Sequence, residues 1–213
     1  MKVYGHPMST CTRTVLMTLA EKGHRAEFVL VDIMKGEGHS PEHLARQPWG
    51  QIPAFEDDDG WMLYESRAIC RYLDAKLSGP ALLPADARQR ALVEQWISIE
   101  ASNFTPAAMK VIWNLVFNKK FFGKEPDMAA VEEGRKGVRK AVAVMDRQLE
   151  GRNFLVGDGL TLADIMFMPY IEYLAAADEI GLINGSERVG AWWRRLSERP
   201  TWQHVIGSTG AAS

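Results

Sequence analysis

The chain has 213 residues, with 25 Lys and Arg against 27 Asp and Glu, for a formal net charge of −2. That length can bury a real core as one large domain or two small ones, and the interspersed charges leave no electrostatic footprint for nucleic acid. No stretch is long and apolar enough to span a bilayer, and the two cysteines, Cys11 and Cys70, suit a reducing compartment better than a disulfide framework.

Met1-Lys2-Val3-Tyr4-Gly5 reads as a strand where a signal peptide would place a charged and then apolar leader, so a cytoplasmic protein is expected. Lys2–Tyr4 is the first strand. A helix follows from Thr12 to Lys22, with Val15, Leu16, Leu19 and Ala20 as its apolar positions and Gly23 as its stop. Glu27 to Ile33 is rich in valine and isoleucine, as a buried strand should be. Ser40 caps a short helix that has Pro41 at its first position. Gly50 and Pro53 punctuate a segment that turns strand-like at Ala54-Phe55. Asp57-Asp58-Asp59-Gly60 is a hairpin signal, Trp61–Tyr64 a further strand, and Ser66 the expected N-cap of a helix reaching Lys76. A parallel pair extended by an antiparallel hairpin is a thioredoxin-like layout, assigned to residues 1–77.

Residues 78–86, around Ser78-Gly79-Pro80 and Pro84, form a linker with little periodicity. From 87 to 213 the pattern is helical: Asp86 to Phe117, Met128 to Leu149, Thr161 to about Ala177, and Arg188 to Glu198. The expected fold class is therefore α/β plus all-α, a thioredoxin-like domain followed by a helical bundle. Leu160-Thr161-Leu162-Ala163-Asp164-Ile165 can form a capping box between Thr161 and Asp164, with Leu160 and Ile165 as a hydrophobic staple.

Two places carry chemistry. At Glu65-Ser66 a helix start offers N–H donors and a positive dipole end to a carboxylate, while Glu65 can hold an ammonium group. A small zwitterion such as an α-amino acid moiety fits that pairing. The turn Gly5-His6-Pro7-Met8-Ser9-Thr10-Cys11-Thr12-Arg13 places several hydroxyls at another helix start. A substrate thiol bound there would ionise more easily; lowering its pKa from about 8.5 to about 6.5 takes roughly 2.7 kcal/mol. One hydroxyl hydrogen bond backed by the helix end can supply that. By chemistry alone, one of these hydroxyls could equally be a helix cap and nothing more.

Gln51-Ile52-Pro53-Ala54 followed by Glu65-Ser66-Arg67-Ala68-Ile69 resembles the glutathione-binding segment of the cytosolic glutathione transferases. Ser40-Pro41-Glu42-His43-Leu44, Pro48-Trp49-Gly50-Gln51, the Thr161–Asp164 box and Trp192-Trp193 fall in the order of the phi class along nearly the whole chain.

That resemblance implies conjugation of glutathione to hydrophobic electrophiles, with thiolate attack on carbon or on peroxide oxygen. It implies glutathione as co-substrate, no metal, no bound prosthetic group, and a homodimer. Ser9, in Pro7-Met8-Ser9, takes the role of hydrogen-bond donor to the thiolate, with Thr10 as the rival. Glu65 and Ser66 take the γ-glutamyl end, the Ile52 backbone beside a cis Pro53 the cysteinyl amide, and Gln51 part of the peptide. At the glycine end the class often carries adjacent His-Lys, where this chain has Gly38-His39; His39 is the remaining candidate. Met8, Trp113 and Phe117 are candidates for the electrophile's surroundings, expected between the domains. Cys11 opens an alternative, thiol-disulfide exchange through a mixed disulfide; a noncatalytic ligand-binding protein is another. Cys70 and the tryptophans Trp49, Trp192, Trp193 and Trp202 read as packing or interface residues, and Arg13 and Arg67 as structural pairs or dimer contacts.

Overall fold

A computed structural model describes residues 1–210. It divides into two compact units, Met1–Leu82 joined by the chain from Arg199 onward, and Leu83–Glu198.

The first unit holds a four-stranded sheet in the order β2-β1-β3-β4, formed by β1 (Lys2–Gly5), β2 (Glu27–Leu30), β3 (Ala54–Glu56) and β4 (Met62–Tyr64). β1 and β2 are parallel, with Gly5 opposite Leu30; β3 runs antiparallel to both neighbours, placing Ala54 opposite Tyr4 and Tyr64. The carboxyl ends of β1, β2 and β4 and the amino end of β3 therefore share one edge. Helices α1 (Thr10–Glu21) and α3 (Ser66–Lys76) pack together, burying Val15, Met17, Ile69, Cys70 and Leu73 alongside Val3 and Phe55 of the sheet. Strand alternation puts Tyr4, Val31 and Ala54 in a second cluster, with Ile52 and Met62 packed against it. β2 ends at Leu30, short of the expected Ile33. The Asp32 carboxylate instead accepts the N–H groups of Met34 and Lys35, at 3.0 and 3.3 Å, and winds Ile33–Lys35 into a 3₁₀ turn.

Two ion pairs lock this unit. Lys22, 4% exposed, donates to the Asp74 carboxylate at 3.1 Å and to the Pro80 carbonyl at 3.0 Å, while the Leu82 N–H donates to Asp74 at 2.8 Å. The first half of the expected linker is thereby tied down. Asp57 of the hairpin turn accepts from Tyr72 and Lys76 of α3. Burial alone would push its carboxyl up, but the bonds from Lys76 and Tyr72 outweigh burial and hold it at about 2, against an ordinary 3.8. A depressed carboxyl stabilises the fold above its unfolded value and loses that contribution as pH falls through the folded one. The stability gap between the wild type and Asp57→Asn is thus expected to be full above about pH 5 and to close between about pH 4 and pH 2. Thermal unfolding of both proteins across that range measures it, and a gap independent of pH would refute the clamp.

Sequence periodicity placed every helix after residue 87 in one domain. The structure groups the last helix, α10 (Pro200–Gly210), with the first unit, where it packs on α1 and the preceding Arg199 forms two bonds of 2.8 and 2.6 Å with the buried Glu21 carboxylate at the end of α1.

The second unit contains α4 (Ala87–Ile99), α5 (Thr105–Ile112), α6 (Met128–Gln148), α7 (Leu162–Ala176), the short α8 (Gly181–Asn184) and α9 (Glu187–Ser197). The single long helix expected from Asp86 to Phe117 is interrupted by π-helical stretches at Glu100–Phe104 and Trp113–Phe121. Pro106, which has no N–H to donate, follows the first of them. α5 and α6 pack closely because Gly137 faces Ala107; a Cβ there would lie 2.6 Å from the Ala107 Cβ. Phe167 of α7 meets Phe104 at a centroid separation of 4.9 Å and Trp192 edge-on at 6.1 Å. The box expected at Thr161 and Asp164 is formed at the start of α7. Trp192, Trp193 and Trp202 are buried, whereas Trp49 is 71% exposed.

Candidate active site

Ser9 is the N-cap of α1, and its Oγ accepts the Thr12 N–H at 3.2 Å. A hydroxyl that accepts still keeps its own hydrogen to donate. Capping the helix and donating to a thiolate are therefore compatible, and the choice between them posed by the sequence dissolves. Arg13 is buried and its Nε–H donates to the Pro7 carbonyl at 2.9 Å, bracing the turn from beneath, a structural role as expected. Thr10 and Cys11 are the first two residues of α1. Burial pushes the Cys70 thiol up to about 11, which makes it core packing and a poor nucleophile.

The loop before β3 is fixed from both sides. Gly50 sits at φ +66, where a Cβ would fall 2.6 Å from the His39 Nδ1, so the exposed His39 ring lies against this loop. Gln47 accepts the N–H groups of Trp49 and Gln51 through its side-chain oxygen, at 2.7 and 3.1 Å. His43 of α2 (Pro41–Arg46) contacts the Gln51 carbonyl through Nε2 at 2.7 Å. The Ile52–Pro53 peptide is cis, as the resemblance implied; Pro53 is buried and Gln51 exposed.

The start of α3 corrects the sequence reading. Ser66 is the first helical residue, not the cap, and it is buried. The cap is Glu65, at φ 71 and ψ 106, an orientation that costs a non-glycine residue about 1–3 kcal/mol. No side chain caps this helix, and the Glu65 side chain is exposed. The chain passes from β4 to α3 through this single residue, so no spacer could relieve the turn. An exposed carboxylate beside N–H groups lacking a side-chain cap has the chemistry to receive paired positive and negative charge.

Ser9, His39, Gln51–Pro53 and Glu65-Ser66 all leave the same edge of the sheet, on the four segments that β1, β2, β3 and β4 deliver there. Residues 1–75 match the family described as the glutathione S-transferase N-terminal domain, and residues 104–200 its C-terminal domain. The glutathione S-transferases F10 and F11 of Arabidopsis thaliana are 37% and 38% identical, over 93% and 97% of both chains. The chain belongs to the glutathione S-transferase family. Its resemblance to the phi class holds, since F10 and F11 are plant proteins of the F series. The crystal structure of glutathione transferase F2 from Populus trichocarpa superposes with a TM-score of 0.93 at 34% identity, covering 99% of each chain. Maize glutathione S-transferase I, solved with an atrazine glutathione conjugate, gives 0.92 at 33% identity, covering 100% of this chain and 99% of that one.

Within this transferase fold the second unit carries an aromatic group of its own. Trp113 and Phe117 meet at 5.4 Å, and both belong to the second π-helical stretch. Phe117 also meets Phe121 at 5.8 Å and Tyr173 at 5.5 Å, and Trp113 meets Phe122 at 6.3 Å. Trp113, Phe121 and Phe122 are exposed. Sequence reasoning named Trp113 and Phe117 but missed Phe121, Phe122 and Tyr173; the four-residue spacing of Phe117 and Phe121 was the available signal. It also missed His43 and Gln47, whose side chains reach forward to the loop. Among the described residues no cluster of three or more His, Cys, Asp or Glu could hold a metal.

Proposed function

We propose that the protein transfers glutathione to apolar electrophiles, with the Ser9 hydroxyl donating a hydrogen bond to the glutathione thiolate. The observation that carries this reading is the Ser9 hydroxyl at the α1 start, on the same sheet edge as the Glu65 helix start. Glu65 and Ser66 take the γ-glutamyl ammonium and carboxylate, Ile52 pairs its backbone with the cysteinyl amide, Gln51 holds the peptide, and His39 the glycyl carboxylate. Pro53 shapes the Ile52 approach. We assign Met8, and the aromatic group around Trp113 and Phe117, to the electrophile, because polarizable and aromatic walls suit flat apolar molecules. The solved maize relative with its atrazine glutathione conjugate supports conjugation as the reaction. Free thiols at Cys11 and Cys70 fit a reducing, cytoplasmic setting. Detoxification is the physiological role we infer, and the exposed Trp49 supports a homodimer.

Glu65→Gln tests the assignment. It keeps the size of the side chain but removes the charge facing the ammonium, and glutathione should bind about tenfold more weakly by calorimetry. Cysteinylglycine, which lacks the γ-glutamyl group, should bind both proteins alike. Equal affinity of the two proteins for glutathione would place the γ-glutamyl end elsewhere.

A further inference from the structure

We propose that His43 is a positioning residue for glutathione binding: through Nε2 it holds the Gln51 carbonyl, and so orients the loop that presents Gln51 and Ile52 to the peptide. This rests on the assignment of that loop to glutathione. His43 is 1% exposed, and its ring lies on the side of α2 that faces the loop. A carbonyl can only accept, so Nε2 carries a ring hydrogen; among the described residues Nδ1 has no partner. A buried imidazole with one unpaired nitrogen is a poor choice for packing alone, where leucine would fill the space without that penalty. Its one polar contact, at 2.7 Å, goes to the residue before Ile52.

The preceding peptide unit, Gly50–Gln51, is held as well. The Gln47 side-chain oxygen accepts the Gln51 N–H at 3.1 Å and the Trp49 N–H at 2.7 Å, and the Gln47 carbonyl accepts the Gly50 N–H at 3.0 Å. Ser40 caps α2 by accepting the His43 N–H at 3.2 Å, which fixes the helix that carries the imidazole. Gln51 is thus gripped at both its N–H and its C=O by buried side chains of α2 and its C-cap, while its own side chain stays exposed. The loop that leads into β3 depends on such a grip to keep its donor and acceptor in place.

His43→Leu removes the donor at similar volume, and His43→Gln returns an N–H at about the same reach. At a temperature where both are folded, His43→Leu should weaken glutathione binding about tenfold, raising KM for glutathione with kcat and the KM for the electrophile nearly unchanged. His43→Gln should recover most of that loss. Gln47→Leu, which releases the Gln51 N–H, should repeat the effect and serves as the second variant where His43→Leu does not fold. Wild-type affinity in folded His43→Leu and Gln47→Leu would overturn the proposal, as would a His43→Gln protein no better than His43→Leu. Absence of glutathione binding in the wild type would instead defeat the functional assignment beneath it.

Discussion

Ser9→Ala should lower the conjugation rate ten- to a hundredfold while Cys11→Ala leaves most of it intact. A hydrogen bond to a charged sulfur is worth about 1.5–3 kcal/mol, and each 1.4 kcal/mol or so is a factor of ten in rate. Without the donor the bound thiol should titrate nearer its solution value of about 8.5, so the rising limb of the pH–rate profile moves to higher pH. Affinity for glutathione should change less, because the contacts we assign to its γ-glutamyl and glycyl ends remain. Ser9 also caps α1 through its bond to the Thr12 N–H, so the variant should lose about 1 kcal/mol of stability as well. Rates with a chromogenic aryl halide, taken well below the variant's Tm, keep the two effects apart. Cys11 sits inside α1, two residues past the cap, and a crippling loss on its replacement would reassign the protein to thiol-disulfide exchange. If neither substitution mattered, Thr10 would inherit the role.

Asp164→Ala should destabilise the second unit by about 3–5 kcal/mol, the largest loss expected from a single substitution here. The Asp164 side chain is fully buried and accepts four bonds: the Leu155 N–H and the Trp192 Nε1–H at 2.9 Å on one oxygen, and the Thr161 N–H and hydroxyl at 3.0 Å on the other. Burial pushes its carboxyl above the ordinary value, and those donors work against the shift. Truncation leaves donors from three separate segments unpaired in the core, which costs far more than the cap of one helix. Asp164→Asn, isosteric but able to accept on one side only, should fall between the wild type and Asp164→Ala. Urea unfolding monitored by far-UV circular dichroism gives both numbers. A loss near 1 kcal/mol for Asp164→Ala would mean that the carboxylate is a helix cap and nothing more. The turn at Ser9, to which we assign the thiolate, belongs to the other unit, so glutathione binding by folded protein should survive.

Much of this protein was written locally. The order of strands and helices, the Ser40 cap, the hairpin turn at Asp57–Gly60 and the Thr161–Asp164 box follow from hydrogen bonds and turn preferences that span three or four residues, and sequence carries those directly. Ser9, Gln51, Ile52, Pro53, Glu65 and Ser66 were nameable for a different reason: they stand in short motifs resembling a known family. What no local pattern contains is how distant segments answer one another. Glu65 adopts its positive φ because β4 must pair with β3 while α3 packs on α1, and neither constraint lies within the helix-start signal that pointed to Ser66 as cap. The Trp192 indole completes the Asp164 site from 28 residues away, and Arg199 meets Glu21 from 178, drawing α10 away from the domain that helical periodicity assigned it. The last two rest on a buried carboxylate finding a partner at long range, a pairing that burial enforces and that only the folded chain defines.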